Sequence, residues 1–404
     1  MIVRILKIPN EFKEALPILR KIERAGYEAY FVGGSVRDTI LHRPIHDVDI
    51  ATSAYPSEVK SLFRRTVDTG IEHGTVMILD HGNGYEVTTF RTESGYQDYR
   101  RPDKVFFVRS LKEDLKRRDF TINALALSES GEVTDLFGGL ADMKQHIIRA
   151  VGDPNERFNE DALRMMRAVR FASQLDFKIE QATLAGIARH SQLLEKIAVE
   201  RSHTEFVKMM LGVDAENGLN IMLQTKLYQH VPVFGDHFKE LQQIVDTKFD
   251  LVNETQVWSL ICYQFGFSRQ QITHFLKRWK TANKIINDVI LTTDLRFRIA
   301  ANRVDNWLLY QAGRQNVVNA ITILGKPNHT ESQELLQKYD NLTITNKKQL
   351  KITGGDLIKR GILKPGPTVG QTLNYLEQAV VSNQIGNTPQ ELIKATLNFI
   401  NEDW

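Results

Sequence analysis

Apolar and polar positions alternate in short runs over the first third of the chain. Tyr30-Phe31-Val32 runs into Gly33-Gly34, and Asp47-Val48-Asp49-Ile50-Ala51 has strand character. Thr75–Leu79 and Tyr85–Phe90 give two more strands, joined by a turn at His81-Gly82-Asn83-Gly84. Helical spacing flanks these runs at Ile5–Ala25, with Pro9 and Pro17 near its start, and at Pro56–Arg65. Beyond Gly152-Asp153-Pro154 the period becomes that of amphipathic helices, and Asn159 is placed to cap a helix through Asp161–Ala172. Near the C-terminus, Gly354-Gly355 and the segment Gly361–Gly370, with Pro365 and Pro367, punctuate two helices. The fold class predicted is α+β: a mixed head of roughly 150 residues followed by an all-helical remainder.

Composition narrows the function. A chain of 404 residues is too long for one core. Lys and Arg number 52 against 49 Asp and Glu, so an evenly basic nucleic-acid coat is excluded and any such contact must be local. One cysteine, Cys262, permits neither an internal disulfide nor a cysteine-built zinc site. No run approaches eighteen apolar residues, and charge and proline break up the first sixteen before a secretory core develops. A cytoplasmic protein without a membrane span is expected.

The richest chemistry lies after the first strand. Two glycines there let backbone N–H groups approach an anion, and Arg37 adds a forked donor for the same phosphates. On a strand Asp47 and Asp49 would share a face, and clustered carboxylates repel unless a cation lies between them. Oxygen-only ligands favour Mg²⁺, with Glu86 on a neighbouring strand as the third acid of a metal-dependent phosphoryl-transfer site. A lone Gly-Gly is usually a turn and a lone Asp-x-Asp usually a solvated strand end; their order along the chain is what gives them weight. No Walker or dinucleotide fingerprint is present, and the lone His-Asp dipeptide, His46-Asp47, gives no ground for a separate phosphohydrolase domain.

Two basic segments follow. If Arg117-Arg118-Asp119-Phe120-Thr121-Ile122-Asn123 is helical, Asp119 and Asn123 share a face suited to a ribose, with Arg118 on a phosphate; a plain charged helix start is the simpler alternative. Asp161, Arg164, Arg167 and Arg170 recur every three residues beside an apolar ridge of Leu163, Met166 and Val169. Three guanidiniums without interleaved acids would repel, so the ridge calls for an anion or a base edge, unless it is only a solvated face. A carboxylate accepts and a guanidinium donates, so Asp161 with Arg164 suits cytosine or adenine and disfavours uracil or guanine. One unpaired buried group costs about 1–3 kcal/mol, enough for roughly ten- to hundredfold rejection.

Taken in order, these segments resemble the motifs of class II nucleotidyltransferases. Gly33–Asp38 with Asp47–Thr52 resembles the first motif, Arg117–Ala124 the ribose motif, and Asp135-Leu136-Phe137-Gly138-Gly139 the hinge motif. Glu160–Arg170 resembles the base-templating motif and Ile197–Lys208 the fifth, a structural brace. Within that class the closest resemblance is to bacterial CCA-adding tRNA nucleotidyltransferases. It implies a nucleotidyltransferase head at 1–153, a base-recognising neck at 154–215, a body at 216–325 and a tRNA-binding tail at 326–404. It also implies template-independent addition of CCA from CTP and ATP to tRNA held by its acceptor–TΨC arm, and it leaves a homodimer open. By resemblance Asp47 and Asp49 bind Mg²⁺ and Glu86 completes the catalytic acids. Gly34, Arg37 and Arg118 hold the triphosphate, Asp161 and Arg164 read the base, and Arg167 and Arg170 support them. Arg91–Pro102 resembles the mobile loop tied to the switch from C to A. Poly(A) synthesis, CC- or A-only addition, and a catalytically dead RNA-binding protein are the alternatives. Lys277-Arg278-Trp279-Lys280 and Lys347, Lys348 and Lys351 are candidate phosphate patches, while Trp258, Trp307 and Tyr310 read as core.

Overall fold

Pro9 decides where the first helix begins. Lacking an N–H, proline suits a helix edge, and α1 spans Asn10–Arg24 rather than starting at Ile5. Pro17 sits inside this helix, whose buried face is Phe12, Ala15, Ile18, Leu19 and Ile22. The structure, a computed structural model, describes residues 3–97, 101–323 and 329–402.

The strands of the first part are β1 (Val3–Arg4), β2 (Ala29–Val32), β3 (Asp49–Thr52), β4 (Thr66–Gly70), β5 (Thr75–Asp80), β6 (Asn83–Thr89), β7 (Arg91–Gln97), β8 (Arg101–Phe107), β9 (Leu125–Leu127) and β10 (Glu132–Asp135). Eight form one sheet in the order β1-β10-β9-β2-β3-β6-β5-β4, and β7 pairs with β8 apart from it. The β5–β6 turn is tighter than predicted: Asp80 pairs with Asn83, leaving His81 (φ 46°) and Gly82 (φ 86°) as its two central residues. Positive φ at both is what a two-residue turn needs to match strand twist. The helices here are α2 (Gly34–Ile40), α3 (Pro56–Leu62), α4 (Leu111–Lys116) and α5 (Gly139–Gln145). The expected C-to-A loop forms the β7–β8 hairpin, although Asp98, Tyr99 and Arg100 lie outside the described residues.

Helices then take over, as the change of period predicts, except that the two-residue strand Lys178–Ile179 pairs in parallel with Ile147–Ile148, so the remainder is not wholly helical. They begin with α6 (Pro154–Glu160), α7 (Leu163–Leu175), α8 (Gln181–His190), α9 (Val199–Met210) and α10 (Ala215–Gln224). The predicted helix starts later, at Leu163, and a separate helix, α6, precedes it. Asp153 caps α6 by accepting from the Asn155 N–H at 2.9 Å, so Asn159 lies inside that helix instead of capping the next. Asp161 breaks the chain in extended geometry (φ −138°, ψ 104°) before α7. The predicted apolar ridge holds: Leu163, Met166 and Val169 are buried.

The chain divides into two compact units, Met1–Phe238 and Lys239–Trp404. The expected boundaries at 153 and 215 fall within the first unit, and that at 325/326 lies outside the described residues. The second unit is helical in its described residues, from Glu254–Gln264 to Pro389–Glu402. Trp258 fills its core as predicted, against the equally buried Trp279 at 4.9 Å between ring centroids. Trp279 is therefore withheld from the Lys277–Lys280 patch, which keeps only its cations. Trp307 and Tyr310 stack at 5.4 Å and are partly buried against the core. Thr353 caps the helix Gly354–Lys359 and Pro367 opens Pro367–Val381, as the glycine and proline punctuation predicts. Among the described residues no helix is long and apolar enough to cross a membrane.

Candidate active site

Sheet register builds the first half of the site. Val32 lies opposite Asp49 in the antiparallel β2–β3 pair, and Asp49 lies opposite Glu86 in the parallel β3–β6 pair. Partners so matched project to one face, so Asp49 stands between the end of β2 and Glu86. The chain leaves Val32 through Gly33 at φ 74°, ψ −136°. A Cβ there would lie 3.1 Å from Arg118 Nη1 and 3.9 Å from Asp49 Oδ2, so glycine lets the backbone pass between guanidinium and carboxylate. Gly34 follows at the start of α2, where a Cβ would lie 3.6 Å from Arg37 Nη2.

Asp47 precedes β3 instead of lying in it, so strand alternation does not bring the two aspartates together. A cleft of about 520 Å³ does, with Asp47, Asp49 and Glu86 on its wall beside His46, Glu11 and Glu14. Asp49 is pushed above the ordinary carboxylate range by loss of surrounding water and then by Glu86, with Arg118 opposing and Asp47 adding to the rise. Crowded acids of this kind gain from a cation. Among the described residues no three Asp, Glu, His or Cys side chains form a ready cage for a metal ion. The donor set, two carboxylates with a third at hand, suits an ion that keeps waters and takes other ligands from phosphates, as Mg²⁺ does.

Arg118 flanks this cleft. Its Nη2 donates to Asp114 Oδ2 at 3.2 Å and its Nη1 to the Asn123 carbonyl at 3.4 Å, while its Nε is buried without a hydrogen-bond partner. Asp114, 1% exposed, also accepts from Arg117 Nε at 2.9 Å and from the Arg91 backbone N–H at 3.3 Å. Burial works to raise the Asp114 pKa, but Arg117 and Arg118 outweigh it and hold the carboxyl below its usual range.

Asp119 and Asn123 do meet, but not on a helix. Phe120 forms an isolated bridge to Ala150, and Thr121–Asn123 is a short 3₁₀ turn. Asp119 Oδ1 accepts from the Phe120 N–H at 2.8 Å and from Asn123 Nδ2 at 3.1 Å, and its Oδ2 accepts from Arg167 Nε at 2.7 Å. Burial opposes ionisation of Asp119, yet Arg167, Asn123 and Arg164 hold its pKa far below normal. Arg37 is drawn into the same network. It forks onto Asp38 with two bonds of 2.9 Å and donates Nη1 to Asn123 Oδ1 at 2.7 Å.

The arginine ridge is real, but the acids that pair with Arg167 and Arg170 come from elsewhere in the chain. Arg164 pairs with Glu160 at 2.6 Å and donates to the Arg117 carbonyl at 2.9 Å; Arg167 pairs with Asp119, and Arg170 with Glu205 of α9. Phe171 adds a second anchor, with the guanidinium carbons of Arg37, Arg167 and Arg170 at 5.0, 5.4 and 4.0 Å from its ring centroid. The mutual repulsion expected of three bare cations is thus already relieved. Asp161 is not on the α7 ridge: in the break before the helix, its carboxylate accepts from the Leu163 N–H at 3.0 Å and from Arg201 Nη2 at 3.0 Å.

Sequence reasoning missed Asp114 as the shared partner of Arg117 and Arg118, Arg201 as the partner of Asp161, and Glu160 and Glu205 as counter-charges. Glu160 and Arg164 are four residues apart, a spacing that signals a pair when read as helix, and they meet even though the chain breaks at Asp161 between them. Asp119 and Arg167 are 48 residues apart, and nothing local links them. In the hinge motif, Asp135 accepts backbone N–H groups from Phe137 through Leu140 and so fixes the start of α5.

Similarity to known proteins covers the chain. Three families match: the Poly A polymerase head domain over residues 29–149, the Probable RNA and SrmB-binding site of polymerase A over 176–236, and tRNA nucleotidyltransferase domain 2 (putative) over 249–396. The sequence is 55% identical over 394 residues to the CCA-adding enzyme of Limosilactobacillus fermentum, covering 97% of this chain and 98% of that protein. It is 53% identical over 400 residues to the CCA-adding enzyme of Pediococcus pentosaceus, covering 98% and 100%. The fold matches the crystal structure of the Bacillus stearothermophilus CCA-adding enzyme in complex with CTP at a TM-score of 0.88 and 36% identity, over 98% of this chain and 99% of that one.

Proposed function

The chain belongs to the CCA-adding enzyme family, and from that premise we propose how its residues divide the work. The protein adds C, C and A to the 3′ end of tRNA, taking CTP and ATP as substrates and releasing pyrophosphate without a nucleic-acid template. The relatives that match nearly end to end are CCA-adding enzymes, so poly(A) synthesis is not adopted. We keep the functional division into head, neck, body and tail at 1–153, 154–215, 216–325 and 326–404. The proposed setting is the cytoplasm, where the one cysteine, buried and free, needs no oxidising compartment.

Asp47 and Asp49 are the residues that would hold Mg²⁺, with Glu86 completing the acidic wall. When bound, Mg²⁺ lowers the pKa of the attacking tRNA 3′-hydroxyl and neutralises charge on the leaving phosphates. The chain supplies the positioning. Gly33 and Gly34 let the triphosphate approach the backbone, and Arg118 presents a cation at the cleft edge with its Nε unpaired. Arg37, tied to Asp38 and Asn123, supports the phosphate and ribose groups from behind. Asp119 and Asn123 face the ribose as a hydrogen-bonded pair. Asp161 accepts from the exocyclic amino group of cytosine or adenine and Arg164 donates to the neighbouring ring acceptor, with Arg167 and Arg170 holding the reader in place.

The observation that carries this reading is the crowding of Asp49 by Glu86 and Asp47 beside Arg118 and Gly33. Asp47→Ala and Asp49→Ala should each abolish incorporation of labelled CTP and ATP into end-trimmed tRNA while leaving filter-bound tRNA unchanged. Residual transfer equal to that of the parent chain would remove the metal assignment.

A further inference from the structure

Arg118 lies between two acids that compete for it. On one side stands Asp49, its Oδ2 and Arg118 Nη1 both near the point a Gly33 Cβ would occupy, at 3.9 and 3.1 Å; on the other, Asp114 accepts its Nη2 at 3.2 Å. Asp114 belongs to none of the motifs that mark the site, and at 1% exposure it is too buried to meet a nucleotide itself. It holds Arg117 and the Arg91 N–H as well, so one carboxylate ties Arg118 to α4 and to the first residue of the β7–β8 hairpin. The placement of Arg118 depends on Gly33, where a Cβ would crowd its Nη1 at 3.1 Å.

We propose that Asp114 is a positioning residue for triphosphate binding, holding Arg118 beside Gly33 and away from Asp49. The proposal rests on the reading of Arg118 as a phosphate holder. Without this anchor, Arg118 swings toward Asp49 beside Gly33, and a cation meant for phosphate neutralises a catalytic carboxylate instead. Asp114 acts only through the phosphate end of the ligand, so its loss weakens every nucleoside triphosphate alike and leaves base choice untouched.

The test uses the full chain and inorganic tripolyphosphate, a probe with no base or sugar, alongside CTP and ATP, with binding followed by calorimetry in the absence of tRNA. Asp114→Asn should weaken all three about tenfold and by a common factor, with discrimination against UTP unchanged. Arg118→Lys should weaken them similarly, and the double variant should be no worse than Arg118→Lys alone, the non-additivity expected of residues acting in series. Should Asp114→Asn not fold, Asp114→Glu keeps the charge but moves it by one methylene, and must still weaken tripolyphosphate with little change in melting temperature. Normal tripolyphosphate affinity in the Asp114 variants, with weak binding in Arg118→Lys, overturns the proposal and spares the site reading. Normal binding in Arg118→Lys overturns both.

Discussion

Replacing Asp119 by Asn tests whether its ion pair with Arg167, 48 residues on, holds this part of the molecule together. The carboxylate is 8% exposed and accepts from the Phe120 N–H, Asn123 and Arg167. Asparagine keeps the shape and one acceptor oxygen but strands Arg167. Removing one partner of a fully buried pair costs about 3–5 kcal/mol, and a charge-assisted hydrogen bond about 1.5–3 kcal/mol. Arg167 retains 34% side-chain exposure, so water screens the stranded cation and the lower range applies: a loss of about 2 kcal/mol. The sign with pH follows from the depressed Asp119 pKa. Its contribution is complete above the unfolded value of about 3.9 and is lost as pH falls through the lower folded value. The difference between parent and variant should therefore be flat from about pH 5 to 8 and shrink below about pH 4. Urea unfolding should be followed by far-ultraviolet circular dichroism, because all four tryptophans of the sequence lie at residue 258 or beyond and none falls within Met1–Phe238. A loss below about 0.5 kcal/mol, or one that grows between pH 7 and 5, would refute the reasoning.

Other expectations concern the reaction itself. Gly33→Ala places a Cβ 3.1 Å from Arg118 at φ 74°, so it should cost about 1–3 kcal/mol in strain and weaken CTP binding roughly tenfold; unchanged titrations would show that the close approach is idle. Asp161→Asn offers an amide that donates as well as accepts, so incorporation of UTP or GTP relative to CTP should rise about ten- to hundredfold; uniform slowing with discrimination intact counts against the base-reading role. Glu93→Ala, in β7, should reduce addition of A to tRNA ending in CC more than addition of C to tRNA lacking both, and equal losses would argue against a role for the hairpin in the switch.

Much of this was legible because it is local. The Gly33-Gly34 turn, the β5–β6 hairpin and the change to helical period at Gly152 depend on residues within a few positions of one another. The Pro9 start and the break at Asp161 were misread because apolar spacing continues through both. The limits of the site reading have the same origin. Asp47 and Asp49 are two apart in sequence, yet sheet register and a loop, not strand alternation, bring them into one cleft. The ridge on α7 was visible as a repeat, but its counter-charges come from Asp119 and from Glu205 in α9, and no window of sequence holds both halves. Buried partners such as Asp114 leave even less trace, since an acid three residues before an arginine usually lies on a solvated helix face.

A bare row of guanidiniums would be sticky toward any polyanion, the backbone of RNA included. Here Glu160, Asp119 and Glu205 cancel the row one rung at a time, so the ridge carries little net charge. Charge alone gives a visitor no advantage there. On the proposed reading of the ridge, admission depends on matching donors and acceptors closely enough to justify disturbing pairs that are already content, which is how a protein surface can discriminate among four triphosphates that carry the same charge.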